Sequence, residues 1–388
     1  TTTAMGVRAP IIRPGDDLVK IVADCVLATC EEKNIVLKDK DIITVTEAVV
    51  AKSQGNFATI DDICADVKKQ MGRGTVGLIF PILSRNRFSQ ILRGIVAGVD
   101  KLVIQLSYPF DEVGNPLVSI DKLYELGIHN FSQAFSAKQF YQLVGSVEHP
   151  FTGIDYIKTY LDICGDKAEV ILSNDPCEIL KYTNKVICAD IHSRFRSKKL
   201  LLAHGAKKVI CLDEILNKKS KKHGYHSQFG VLGSNMSSEG KIKLFPRDCQ
   251  PFVDKLQAEF LKRTGAHVEC MVYGDGAFKD PVGGIWELAD PVVSPAYTDG
   301  LTGTPNEIKL KYLADNDLAS LNGEEAIEAM KDMIRHKESD LTNNMKSQGT
   351  TPRQLTDLLA SLSDLTSGSG DKGTPFILIQ NYFKNYGM

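Results

Sequence analysis

Among 388 residues there is a single tryptophan, Trp286, and no run approaches the roughly 18 consecutive apolar residues that a membrane-spanning helix needs. The first ten residues, TTTAMGVRAP, also lack the apolar core of a signal peptide. No membrane partner is expected, and the expected location is cytoplasmic. Excess charge is missing as well: 46 basic side chains stand against 48 acidic ones, a formal net charge of −2. That balance gives no global attraction for nucleic acid, so no nucleic-acid partner is expected and any polyanion site must be local. There is no CxxC. The nine cysteines are scattered singly, mostly in apolar runs such as KVICAD and KKVICLDEI, where a reduced thiol acts as a small core hydrophobe.

What remains is an ordinary globular composition, 43% hydrophobic, in a chain long enough for two or three domains. Near the start, Pro14-Gly15-Asp16-Asp17 supplies a turn and an N-cap for LVKIVADCVLATCEEKN, whose apolar residues recur at helical spacing. The β-rich Ile42-Ile-Thr-Val-Thr46 follows, and EAVVAKSQGN then places Lys52 and Gly55 just past a buried strand or short helix. Ligands meet the backbone at strand ends in α/β proteins, so Lys52 is a candidate phosphate contact; a solvated turn lysine is the plain alternative. Residues Gly72 to Gly77 spell GxGxxG, but the helix-like IDDICADVKKQ precedes and the strand-like LIFPIL follows. A dinucleotide fingerprint needs the reverse order, strand first and helix after, so that reading is rejected.

From about Ser84 to Lys218, short apolar runs (KLVIQLSY, AEVILSN, KVICADIH, KKVICLDEI) alternate with helix-like RFSQILRGIVAGV, CEILKYTN and SRFRSKKLLLAHG. Such alternation predicts a parallel sheet covered on both faces. His149 lies in one of its loops, either as a ligand contact or as an ordinary satisfied loop histidine. The run Lys218-Lys-Ser-Lys-Lys-His223 reads as a solvated hinge, or else as a funnel for a phosphorylated substrate. Ser234 and Asn235 follow a glycine and suit a ribose, a phosphate or a metal-bound water. A helix over PFVDKLQAEFLKRTG and a strand over HVECMVYG then deliver Asp275 into an irregular segment, Tyr273 to Tyr312. Phe278, Trp286, Tyr297 and Tyr312 are costly to leave in water, so this segment is read as ordered, functional loop. Beyond it, GEEAIEAMKDMIR and PRQLTDLLASLSDL read as helices, the second capped by Thr350 or Thr351. The final PFILIQNYF reads as a strand that completes a sheet or pairs across a dimer.

Four stretches in this order, GDDL, DIITVTEAVVAKSQG, GVLGSN through LFP, and VECMVYGD, resemble the coenzyme F-420:L-glutamate ligase family, also called F-420-0:gamma-glutamyl ligase. The likeness covers residues 8–60 and 224–316. It implies an α+β fold: a discontinuous ligase-like core over 8–62 and 221–340, an inserted α/β subdomain with a mainly parallel sheet over 63–220, and a C-terminal helix, loop and strand over 341–388. It also implies a homodimer that uses GTP and Mg or Mn. The reaction implied joins an amino acid, glutamate in the family, to a carboxylate of a small acceptor through an acyl phosphate.

Carried over position by position, the family's Ser-Lys-x-Glu-Gly falls on Ala51 to Gly55 and keeps Lys52 and Gly55. Its Gly-Ile-Asp-x-Ser-Asn falls on Gly230 to Asn235, with Leu232 where a metal-binding aspartate is expected. Its Asp-Thr falls on Asp275-Gly276. The arginines that follow this pair in the family are replaced here by Phe278-Lys279-Asp280; the expected catalytic residues are Lys52, Asp275 and Lys279, and the expected nucleotide contacts Lys52, Gly55, Ser234, Asn235 and Asn306. Asp275, Asp280 and Glu307 would hold the metal. A hard divalent ion wants several oxygens, so either the carboxylate lost at Leu232 is replaced by Asp280, Asp290, Asp299 or Glu307, or the protein has left GTP chemistry. Two alternatives stay open: a metal-dependent hydrolase or phosphatase on the same loops, and a non-catalytic nucleotide-binding homologue that has lost the metal site.

Overall fold

The computed structural model describes the whole chain except residues 84–86, 150–152, 275–277, 280–285, 288–291, 342–343, 348–353, 369–371, 385–386 and 388. Strand β1 (Thr3–Val7) turns at Gly15, φ 90°, into helix α1 (Leu18–Lys33), where Asp17 caps the first turn by accepting the Lys20 amide. Strand β2 (Ile42–Thr46) runs unbroken into α2 (Glu47–Ser53), and β3 (Phe57–Thr59) enters α3 (Ile60–Met71) through a Thr59–Asp62 capping box. The middle of the chain forms β4 (Thr75–Ile79), α4 (Phe88–Ala97), β5 (Lys101–Leu106), α5 (Ile120–Glu125), β6 (Phe135–Ser136), α6 (Ala137–Val144) and α7 (Tyr156–Cys164). It continues with β7 (Ala168–Leu172), β8 (Lys185–Cys188), α8 (Arg194–Ala203) and β9 (Lys208–Cys211). Then come β10 (Asn235–Ser238), β11 (Lys241–Lys243), α9 (Cys249–Thr264), β12 (Glu269–Tyr273), β13 (Phe278–Lys279), β14 (Trp286–Glu287) and β15 (Ala296–Tyr297). The chain closes with α10 (Leu310–Asp315), α11 (Gly323–Arg335), α12 (Leu355–Ser367) and β16 (Phe376–Gln380).

The fold is α+β, built on two sheets with separate cores. In the first, of order β1-β16-β2-β12-β15, only β2 and β12 are parallel. The last strand, β16, is interior, which explains its unbroken apolar run. Phe376 and Leu378 join the cluster of α1 and α9 with Val22 and Phe260, while Ile377 and Ile379 pack with Leu359 and Ala360 of α12. Of the two readings of that strand, this chain builds the one that completes a sheet.

The second sheet has the order β6-β7-β5-β4-β8-β9, parallel throughout except at the β6 edge. Strand order reverses between β4 and β8, with α4 in the cluster on one face and Leu201 of α8 on the other, a doubly wound arrangement. Gly72 and Gly74 sit between α3 and the start of β4, the inverted context on which the dinucleotide fingerprint was rejected. Gly77, inside β4, is a close-packing position: a Cβ there would lie 2.4 Å from Cγ1 of Ile179. CEILKYTN, expected as a helix, forms only a short 3-10 turn at Pro176–Lys181.

A small antiparallel ribbon, β10-β11-β3, joins the two parts. Its Ala58 and Ile242 belong, with Val231, Leu232 and Leu244, to the hydrophobic cluster of the six-stranded sheet. All nine cysteines are free, six of them buried.

Candidate active site

Parallel pairing of β2 with β12 sets Thr46 opposite Tyr273, so the two strands end side by side. From one end the chain enters α2 at Glu47; from the other it leaves through Gly274 toward Asp275. Glu47 is buried, and the Nζ of Lys243 reaches both its carboxylate oxygens, at 2.5 and 2.6 Å. The two side chains are 5% and 7% exposed, respectively. Burial, reinforced by the nearby Glu47 charge, pushes the Cys249 thiol up to about 12, so that cysteine is inert packing beside the pair.

The register of the ribbon brings two expected residues to this place. Asn235 pairs across with Lys243, and Ser234 precedes it. Ser234 is 2% exposed, and its hydroxyl has no hydrogen-bond partner. Buried hydroxyls are normally satisfied, so an orphan here marks a place where a ligand or water is expected to bind.

A shell of polar contacts fixes the surrounding loops. Asn56, fully buried, donates through Nδ2 to the Phe245 carbonyl at 2.8 Å, and its Oδ1 accepts from the Tyr225 amide and from Arg247. The Arg247 guanidinium also stacks over the Tyr225 ring, 4.7 Å from its centre. His226 accepts the amides of Gln228 and Phe229 at Nδ1 and therefore carries its proton on Nε2, which donates to the Pro246 carbonyl at 3.1 Å. Burial holds the His226 pKa below the usual range, keeping the ring neutral.

Of the other expected residues, Lys52 is exposed in the last turn of α2, and Gly55 follows at φ 62°, its amide donating to the Lys52 carbonyl. Asp275 and Asp280 lie outside the described residues, as do Asp290 and the side chain of Lys279 in β13. Asn306 is committed elsewhere. Its Nδ2 donates to the carbonyls of Glu338 and Ser339, each at 3.0 Å, and its Oδ1 accepts the Leu341 amide. Glu307 is exposed in the loop that Asn306 anchors, ahead of α10. Leu232 is 2% exposed and belongs to the hydrophobic core, so no ion can use that position. Among the described residues, no group of three or more His, Cys, Asp or Glu is placed to hold a metal.

Sequence reasoning missed Glu47 and Lys243. In Lys241-Ile242-Lys243, alternation assigns both lysines to solvent, yet Ile242 and Lys243 are both buried because the ribbon is covered on two sides. A cavity of about 340 Å³ lies elsewhere, among Asp332, His336, Lys337 and Glu338, and shares no residue with the site. His149, a candidate loop contact, is buried, and Tyr156 packs edge-on against its ring. The lysines at 218, 219, 221 and 222 are exposed.

A buried ion pair and an orphan hydroxyl at the carboxyl ends of parallel strands, in an α+β chain, define an enzyme-like polar site. A family model described as F420-0:Gamma-glutamyl ligase matches residues 6–381, and the chain belongs to that family. Its activity is that of a ligase that forms an amide bond between an acid and an amino acid. The match includes residues 63–220, the segment expected as an insertion. No curated protein matches the chain. Among solved structures, the biosynthetic arginine decarboxylase SpeA from Campylobacter jejuni is similar at 9% identity over 93% of this chain and 68% of that one, with a TM-score of 0.14, too low to carry an argument. No helix among the described residues is long and apolar enough to cross a membrane.

Proposed function

We propose that the chain joins glutamate to a carboxylate of a small acceptor with a nucleoside triphosphate, GTP by family likeness, through an acyl phosphate, and that it acts as a homodimer with Mg or Mn. The observation that carries this reading is the buried Ser234 hydroxyl without a partner, next to the Lys243–Glu47 pair. An acceptor carboxylate oxygen attacks the terminal phosphorus, the bond to the bridging oxygen breaks, and the nucleoside diphosphate leaves. The amine of glutamate then attacks the activated carbonyl carbon, loses a proton, and phosphate departs. The protein's task is to position the groups and neutralise charge.

Lys52 and Lys279 would face the phosphates, Ser234 and Asn235 the nucleotide, while Lys243, clamped by Glu47, gives a fixed buried cation beside them. The described residues supply one buried carboxylate here, Glu47, already neutralised by Lys243. Alone they do not make a divalent-metal site, and metal ligands would have to come from Asp275 and Asp280. The test is the melting temperature with GTP or ATP in the presence of Mn. A ligand at 100 times its Kd stabilises by about 2.7 kcal/mol. Ser234→Ala should lose the shift; no shift with any common nucleotide in the parent sinks the reading.

A further inference from the structure

We infer that the switch point of the six-stranded sheet is a second ligand site, separate from the ligase site, for a small molecule that carries a carboxylate or phosphate beside an N–H or O–H donor. In this structure the Glu112 side chain occupies its anion position. The strand order reverses between β4 and β8, and in doubly wound sheets ligands bind outside the carboxyl ends of the strands at such a reversal.

Four donors converge there. The amides of Ile191, His192 and Ser193 and the Ser193 hydroxyl all point at the Glu112 carboxylate, with His192 at 3.1 Å, the Ser193 amide at 3.1 Å and its hydroxyl at 3.0 Å. These amides lead into α8, ten residues long, which has no side-chain cap of its own. Glu112 is exposed, on the loop between β5 and α5, about 80 residues away in sequence. A carboxylate held by successive amides at a helix start shows that the place accepts an anion.

A helix cap alone would account for those contacts, but not for a buried acceptor left over beside them on Asp190, nor for a second on β5, across β4. Asp190, fully buried, lies with Oδ2 at 2.8 Å from Ser193 Oγ and 2.7 Å from Ser197 Oγ, while its Oδ1 has no partner. Ser193 has one hydroxyl proton and two carboxyl groups in reach, so Asp190 adjoins the anion position directly. Gln105, fully buried at the end of β5, donates Nε2 to the carbonyls of Ser173 and Asp175 at 3.1 and 2.7 Å. Those two bonds fix its amide orientation and leave Oε1 unpartnered. Gln105 alternates with Val103 on the α8 face of β5, and Asp190 follows the end of β8, two residues past Cys188 of the same face. Buried acceptors are normally paired. A ligand with a donor next to its anionic group, an amino acid or a sugar phosphate, satisfies both halves of this arrangement.

Isothermal titration of the full chain with L-glutamate and with ribose 5-phosphate tests the assignment. Glu112→Ala vacates the amides and should tighten binding of at least one probe by about tenfold or more, roughly 1.4 kcal/mol. Adding Asp190→Asn should reverse that gain while leaving any glutamate bound at the ligase site untouched, since neither residue lies there. A gain for glutamate alone assigns an amino acid, and a gain for ribose 5-phosphate alone assigns a sugar phosphate. If Glu112→Ala fails to fold by circular dichroism, Glu112→Gln is titrated instead and should tighten binding less. A folded variant that binds neither probe more tightly than the parent reduces Glu112 to a helix cap and overturns the inference.

Discussion

Replacing Glu47 with glutamine leaves the Lys243 ammonium buried without its carboxylate. Both partners are less than a tenth exposed, so the discount that reduces surface ion pairs to about 0–1 kcal/mol does not apply. Removing one partner of a buried pair costs about 3–5 kcal/mol, because the remaining charge keeps its desolvation penalty and loses the attraction that offset it. The glutamine oxygen still accepts one hydrogen bond from Nζ, which places Glu47→Gln near the lower end, about 3 kcal/mol. A domain's whole stability is about 5–15 kcal/mol, so this is a large effect for one isosteric change. Lys243→Met in the same background removes the stranded charge, and the double variant should be more stable than Glu47→Gln alone. Urea denaturation at pH 7 of the parent, both single variants and the double measures the coupling. A Glu47→Gln variant within about 0.5 kcal/mol of the parent, or a double variant whose loss equals the sum of the singles, refutes the account of a tight buried pair.

His226 should make stability depend on acidity. Its folded pKa is lowered by burial, so its contribution is complete above the ordinary value near 6.5 and is lost as pH falls through the depressed folded value. Melting curves from pH 7.5 to 5 should fall more steeply for the parent than for His226→Ala, which starts lower but is flatter; parallel slopes would contradict the lowered pKa of the buried ring. In β16, Leu378 is fully buried between β1 and β2, and Leu378→Ala should cost about 2–5 kcal/mol by chemical denaturation. Leu365, 72% exposed on α12, is the control, and its alanine variant should stay within about 0.5 kcal/mol of the parent. Equal losses at the two leucines would show that β16 is not an interior strand.

Most elements were legible because their signals are local. Asp17 caps α1 as its position before an apolar-periodic run suggests, and the alternation of short apolar runs with helices gives the mainly parallel sheet of β4 to β9. Helix α9 shows a limit: Asp248 is an ordinary capping residue by type and occupies the cap, but in a left-handed conformation with no side-chain bond to the helix. Asn306, next to Glu307 in a loop, ties down residues 338–341, a contact no local pattern encodes.

By itself the sequence determined the α+β class, the reduced state of scattered cysteines, the positions of the main helices and strands, and the family. Tertiary structure alone decided the rest. It placed β16 between β1 and β2, and it paired Glu47 with Lys243 across 196 residues. It also reversed the strand order at β4 and β8 and carried Glu112 to the start of α8. The physical reason is common to all of these. Periodicity reports which face of an element is apolar, whereas a buried charge or an interior edge exists only by virtue of a partner far along the chain, and a residue's own neighbours in sequence carry no record of it.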